Sequence, residues 1–319
     1  SDSEAGVADA TLLLEAAIYR ACHEIALAVA DSEGKIPHAS IKERGTSAPF
    51  LTSCLYILED AGIAALVGSD WVVPTDYTLP SFDELVSEVQ AEDASRMAEA
   101  ILINNAYRDA LVRLARDPSS PSQPYASSHD DSTLEHVDLH SPPAMRRQSV
   151  SLEAVSSALQ PDVKLRQVLQ VGARSLSFSR ELAEMVRQSG AQLIVAEPRE
   201  GVRRTLEIEF ERDVNVIVSA PSELSQLAPA DLVVAADVES DRLLAEDAQL
   251  QAFLLRCSNH GASLLLVNRA PSAFHDLVYG QRDDWFDNSP WGDCPIGRVA
   301  TASEVRARLE RLGFSDIAV

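Results

Sequence analysis

The feature that most constrains this chain is a series of five short apolar segments in its second half, separated by stretches of helical periodicity. The segments are Gln167–Gly172, Gln192–Glu197, Val214–Val218, Asp231–Ala236 and Ser263–Asn268. Helical spacing appears between them, notably in Phe178–Ser189, Gly201–Phe210 and Leu243–Cys257, and again in Ala302–Leu312. Strands that are apolar on both sides cannot turn a face to water. They predict a parallel sheet covered by helices on both faces, an α/β doubly wound architecture. Phe314–Val319 reads as the beginning of one more strand, at the point where the sequence stops.

The first half has a different grammar. Leu12, Leu13, Ala16, Ala17, Ala21, Ile25 and Val29 fall near helical spacing and predict a helix over 11–31. Ala48–Ala61 predicts a second helix, with Pro49 early and Gly62 just past its end. Ile63–Val67, the turn Gly68-Ser69-Asp70 and Trp71–Pro74 then read as strand, turn and strand. Helices followed by a hairpin make a winged-helix-like pattern over 38–74. Residues 81–116 are helical again, with Phe82, Leu85, Val89, Met97, Ile101 and Leu102 on one side. This half reads as a helical, winged-helix-like domain, 1–116.

Between the halves, 117–149 carries Pro118, Pro121, Pro124, Pro142 and Pro143 among many Ser, Asp and His residues. Such a composition buries little surface and predicts a flexible linker. The histidines within it, His129, His136 and His140, read as solvated linker residues rather than metal ligands. The α/β part then runs over 150–319.

Charge and cysteine usage exclude several classes. The chain has 319 residues and a formal net charge of −22, whereas a phosphate-backbone binder needs a basic face. The winged-helix-like stretch offers only Lys42 and Arg44 against Glu43, Glu59, Asp60 and Asp70, so a DNA-reading helix is not expected there. Cys22, Cys54, Cys257 and Cys294 form no CxxC pair, which argues against zinc and for reduced thiols in a cytoplasmic protein. No run of 18 apolar residues predicts a membrane span. The chain opens Ser1-Asp2-Ser3-Glu4 without Met, as expected of an excised domain or of a tag remnant.

In a doubly wound sheet, ligands lie beyond the C-terminal ends of the strands. The first strand ends Val171-Gly172-Ala173-Arg174-Ser175-Leu176. A nucleotide loop here needs several glycines so that backbone can approach the ligand. Only Gly172 remains; Arg174 and Leu176 stand where two more are expected. The second strand ends in Glu197, an acidic residue where ribose hydroxyls are accepted in dinucleotide and related folds. A solvated carboxylate at a strand end fits the same pattern. Asp237 and Glu239 follow the fourth strand, and Asn268 ends the fifth.

The order of these segments resembles the C-methyltransferase domains of modular polyketide synthases. The likeness runs through Val168–Gly172, Ala230–Ser240 and Leu264–Asn268. It is most specific in Phe274-His275-Asp276-Leu277-Val278-Tyr279-Gly280-Gln281-Arg282-Asp283-Asp284-Trp285-Phe286, and continues in Val299–Phe314. The resemblance implies a class I S-adenosylmethionine (SAM) methyltransferase-like, Rossmann-type sheet with the N-terminal domain as a lid. It also implies a closing hairpin of two strands, of which Ile317-Ala318-Val319 would begin the first. Active members use a histidine after strand four as base and a glutamate at the end of strand five to orient it. Those positions fall here on Ser240 and Asn268. Serine is no base near neutral pH, and Asn supplies no carboxylate.

The resemblance, with the depleted glycine loop, therefore implies a degenerate, pseudo-methyltransferase member. It implies no working catalytic pair and no cofactor. The alternative is an active enzyme that binds SAM through Gly172, Arg174, Glu197 and Asp237 and methylates an acyl chain on an acyl carrier protein. His275 is then the substitute base, and Arg174, Arg180, Arg199, Arg203 and Arg204 a basic patch for an acidic carrier. Ser240, His275 and Asp237 suggest a hydrolytic triad on paper, but no GxSxG elbow accompanies them. A nicotinamide-binding domain shares Glu197 but lacks GxGxxG spacing. Expected partners are neighbouring synthase domains and the carrier protein, with no nucleic acid, membrane or metal.

Overall fold

A computed structural model describes residues 2–115, 131–159, 165–236, 244, 247–282, 285–287, 296–297 and 299–318. The chain divides into two compact units, Ser1–Pro142 with Pro271–Val299, and Pro143–Ala270 with Ala300–Val319.

The first unit begins with helix α1 (Asp2–Leu27), followed by strand β1 (Lys35–Pro37), α2 (His38–Lys42), α3 (Ala48–Asp60) and strands β2 (Ala65–Val67) and β3 (Asp70–Val72). On α1, Leu14, Ala17, Ile18, Ala21, Cys22 and Ile25 are buried at helical spacing. The hairpin forms as expected, with β2 antiparallel to β3. Strand β1 was not foreseen. It pairs antiparallel with the other side of β3 and completes a sheet of order β1-β3-β2. Gly34 (φ +77) permits this, because a Cβ there would collide with the Val73 carbonyl.

The expected helical stretch 81–116 is two helices, α4 (Phe82–Glu92) and α5 (Met97–Leu114). They are broken where Asp93 turns extended (φ −151) and its carboxylate accepts from Ser95 N–H. A capping box between Ser81 and Glu84 starts α4.

The linker expectation for 117–149 requires correction. Residues 116–130, with His129, lie outside the described residues, but 131–149 are helical: α6 (Asp131–His140) and the start of α7 (Pro142–Ala158). Two prolines at the start of α7 fill positions whose N–H groups have no intrahelical acceptor. Val137, Leu139 and Ala144 are buried, Ser141 Oγ donates to Val137 O at 2.6 Å, and buried Asp138 accepts from Tyr279 Oη. His136 and His140 are ring neighbours one turn apart, 5.5 Å between centroids.

The second unit holds the sheet. Strands β4 (Gln167–Val171), β5 (Gln192–Ala196), β6 (Val216–Ser219), β7 (Leu232–Ala235) and β8 (Ser263–Leu266) coincide with the five expected segments. Their order is β6-β5-β4-β7-β8, all neighbours parallel. Helices α8 (Leu176–Gln188), α9 (Glu200–Glu209) and α10 (Ala248–Asn259) follow β4, β5 and β7. Val168, Leu193, Val195, Leu232 and Val234 share a core with α7 and α8 on one face. Leu169, Val171, Ile194, Val233 and Ala235 share another with Leu250, Phe253, Leu254 and Cys257 of α10. Ser175 caps α8 and Asp247 caps α10.

Two further expectations fail. The segment after β8 does not continue the α/β core: α11 (Ala273–Tyr279) belongs to the first unit, where Leu277, Val278, Tyr279 and Trp285 join the core of α1, α3 and α5. Helix α12 (Ala302–Arg311), started by a Thr301–Glu304 capping box, returns to the second unit. Phe314–Ala318 forms no strand. Asp316 adopts φ +56, a left-handed conformation that interrupts an extended run.

Leu277 is fully buried in the first unit. Leu277→Ala is expected to cost about 2–5 kcal/mol. In hydrogen-exchange mass spectrometry the loss of protection should fall on α1, α3 and α5. Equal loss across β4–β8 would contradict the division into units.

Candidate functional site

The C-terminal ends of β4 and β5 meet through one side chain. Glu197, directly after β5, has 0% exposure. Its Oε2 accepts from Ala173 N–H, in the loop after β4, at 2.9 Å. Its Oε1 accepts from Arg199 N–H at 2.8 Å. The Arg199 guanidinium closes the set, Nε to Oε1 and Nη2 to Oε2, both at 2.7 Å. This is a bidentate ion pair, the strong form of a charged hydrogen bond. The carboxylate also lies just before the N-terminus of α9, where helix partial charge favours an anion. Arg203 Nη1 donates to the carbonyls of Glu197 and Pro198, at 3.0 and 3.2 Å, and holds the intervening turn.

The β4 loop keeps part of a nucleotide-binding geometry. Gly172 is at φ +73 and donates to Ala196 O at 2.9 Å, a backbone shape that side chains resist. Behind it, buried Gln170 donates from Nε2 to Gly172 O and to Ser179 Oγ, at 3.0 and 2.9 Å. Arg174 is half-buried in the same loop, and Leu176 opens α8.

Among the positions singled out in sequence, Gly172, Arg174 and Glu197 thus gather at the ends of β4 and β5. Asp237 and Ser240 lie outside the described residues. Asn268 follows β8; its Oδ1 accepts from Arg269 N–H at 2.8 Å, and its buried Nδ2 meets no partner among the described residues. A neutral amide therefore stands where the resemblance places a carboxylate.

His275 is in the other unit, on α11. Its Nδ1 lies 2.6 Å from Ser272 Oγ, the hydroxyl that caps the helix, and its ring stacks on Tyr279, 6.2 Å between centroids. Beside it, the Asp276 carboxyl accepts from Trp285 Nε1 at 2.9 Å. Burial pushes its pKa up, partly offset by that hydrogen bond.

Of the expected basic patch, Arg180, Arg199, Arg203 and Arg204 are satisfied from within. Arg180 pairs with Glu209, Arg204 with Glu200 and Arg199 with Glu197, while Arg203 donates to backbone. Sequence reading found Arg199 but not its role. The available signal was its position two residues after a strand-end acid with Pro198 between, a turn in which a carboxylate accepts from the backbone two residues on.

A SAM fit can be tested against these residues. Ribose recognition at Glu197 needs free acceptor capacity, and a carboxylate offers about four lone-pair positions. Four donors already occupy them. The loop offers one glycine of the three expected. The residues as arranged do not fit the cofactor.

By sequence, the chain matches no protein-family model and no curated protein at a significant level. By structure, it is similar to the CurJ carbon methyltransferase (14% identity, TM-score 0.67, covering 98% of this chain and 86% of that one). It is similar to the DszA carbon methyltransferase (16%, 0.66, 97% and 84%). The CMeT domain of the citrinin polyketide synthase also matches (13%, 0.61, 96% and 82%). Identities this low speak to fold alone. The fold is that of a class I SAM methyltransferase, of the kind found in these carbon methyltransferases.

The Asp276 geometry gives a pH signature. A carboxyl whose pKa is raised on folding contributes stability below its unfolded pKa and loses it as pH rises through the folded value. Asp276→Asn keeps an acceptor for Trp285 Nε1 and removes the buried charge. It should raise the urea midpoint at pH 7, with the gain shrinking toward the ordinary Asp pKa of about 3.9. A gain independent of pH would reject buried charge as the cause.

Proposed function

We propose that this chain is a non-catalytic pseudo-methyltransferase domain with a structural role in a polyketide or fatty acid synthase-type multidomain enzyme. The observation that carries the reading is Asn268. It lies two residues past β8 and presents a neutral amide whose Nδ2 is buried without an acceptor among the described residues. In the family this chain resembles, a glutamate orients the base, and a neutral amide supplies no carboxylate to stabilise its protonated form. Loss of a positioned base removes on the order of 10²–10⁴ in rate. The retained core around β4–β8, together with a degraded ligand end, suits a domain kept for its shape.

In this reading the first unit acts as a lid-type, winged-helix-like element without a nucleic-acid role. The succession α2, α3, β2, β3 with β1 alongside supports the comparison. The low count of basic residues there and the net charge of −22 argue against a phosphate-binding surface. Neighbouring synthase domains are the proposed partners, with an acyl carrier protein passing nearby. Among the described residues no helix is long and apolar enough to cross a bilayer. The setting proposed is the cytoplasm.

The alternative is an active SAM-dependent C-methyltransferase acting on a carrier-bound acyl chain. It is favoured by Gly172, which keeps its left-handed φ, and by the carbon methyltransferases of similar fold.

The two readings separate inside the parent synthase. Ser240→Ala and Asn268→Ala should leave product yield and composition unchanged. Leu277→Ala, which damages the first unit's core, should lower yield without removing a methyl group from the product. Mass spectrometry reads both effects. A product lighter by one methylene in either Ser240→Ala or Asn268→Ala would establish the enzymatic reading instead.

A further inference from the structure

We propose that Arg199 is a built-in occupant of the nucleoside position, whose guanidinium takes the Glu197 carboxylate that a ribose diol would require. The inference rests on reading the ends of β4 and β5 as a former cofactor position. It goes further by naming what fills that position and why a nucleoside is refused.

The case is one of acceptor capacity. Glu197 Oε1 accepts from Arg199 N–H and Arg199 Nε; Oε2 accepts from Ala173 N–H and Arg199 Nη2. Two of these donors are backbone groups that fix the turn after β5 and the loop after β4. They would remain with or without a ligand. The other two belong to one planar guanidinium, which presents two parallel donors to the two carboxylate oxygens. A vicinal diol also presents two donors to one carboxylate. The two groups compete for the same pair of lone-pair positions.

The competition is unequal. The guanidinium brings a full positive charge to a carboxylate with 0% exposure, whereas a diol brings none. Charge-assisted pairs are roughly twice as strong as neutral hydrogen bonds. Arg199 is tethered two residues from its acceptor and loses no association entropy, whereas a free nucleoside does. Arg203 adds a second restraint by holding the Glu197 and Pro198 carbonyls. Yet the arginine side chain is 30% exposed, so it has a route outward. Gly172 retains the backbone shape that lets a ligand approach. The exclusion therefore centres on one removable side chain.

The test is calorimetric titration of the full chain with S-adenosylhomocysteine, which binds without reacting. The wild type should give no heat up to millimolar ligand. Arg199→Ala should gain binding at least tenfold stronger than the wild-type limit, and adding Glu197→Gln should abolish the gain. Thermal melts establish that each variant folds; if Arg199→Ala does not, Arg199→Gln, which keeps one neutral donor, is read by the same criteria. Micromolar binding by the wild type would overturn the inference. So would a cooperatively folded Arg199 variant that stays blind to the ligand. Neither result touches the non-catalytic reading, which falls only if the wild type transfers a methyl group from SAM to a carrier-bound acyl chain.

Discussion

The second unit depends on the burial of β4 from every direction. It has β5 on one side, β7 on the other, and a helical layer over each face. Val168, Leu169 and Val171 are consequently fully buried, and substitutions there have no route to solvent. The exception is Gln170, which is polar and almost completely buried. Its amide donates to Gly172 O and Ser179 Oγ, so it ties the strand, its loop and α8 together from below. The loop after β4 is held from the other side by Glu197, through Ala173 N–H. A segment that in an open nucleotide site must adapt to a ligand is here pinned at both ends by the protein's own groups.

Charge is handled in the same internal way. With a net charge of −22 the chain has an excess of carboxylates, yet the arginines near the sheet's C-terminal end do not collect into a basic surface. Arg180, Arg199, Arg203 and Arg204 each meet an acid or a carbonyl close by in the fold. Exposed pairs such as Arg180–Glu209 and Arg204–Glu200 are screened by solvent and contribute little to stability. Their charges cancel locally.

How far the sequence could be read follows from where burial is decided. The five strands were legible because two-faced burial forces unbroken apolar runs, such as Leu193-Ile194-Val195-Ala196, in which every residue is buried. Helix α6 and the start of α7 were not. Their anchors are isolated, Val137, Leu139 and Ala144, and the prolines that suggested a linker are helix starters in this context. Strand β1 is three residues with only Ile36 buried between exposed Lys35 and Pro37, too short to carry a period. The assignment of α11 to the first unit depends on tertiary packing that local pattern does not encode. At the candidate site, the single glycine of the loop after β4 and the amide of Asn268 could be read from residue identities. The Arg199–Glu197 pair could not, because it depends on how a two-residue turn aims a long side chain.

The pair also bears on how a methyltransferase-type fold stands without a cofactor. A ligand that binds only the native state stabilises it by mass action, by about 2.7 kcal/mol at a hundred times its dissociation constant. A fold that loses such a ligand forfeits that contribution and leaves a buried carboxylate short of donors, a condition that costs about 1–3 kcal/mol or more. Hydrogen bonds to a charged group contribute about 1.5–3 kcal/mol. Arg199 supplies two of them to Glu197 permanently, at any ligand concentration. The magnitudes are comparable, so on the proposed reading one arginine after β5 offsets the contribution of a ligand. The same side chain that stabilises the unliganded fold occupies the acceptor on which return of the ligand would depend. On the proposed reading, structural retention and loss of cofactor binding have a single physical origin.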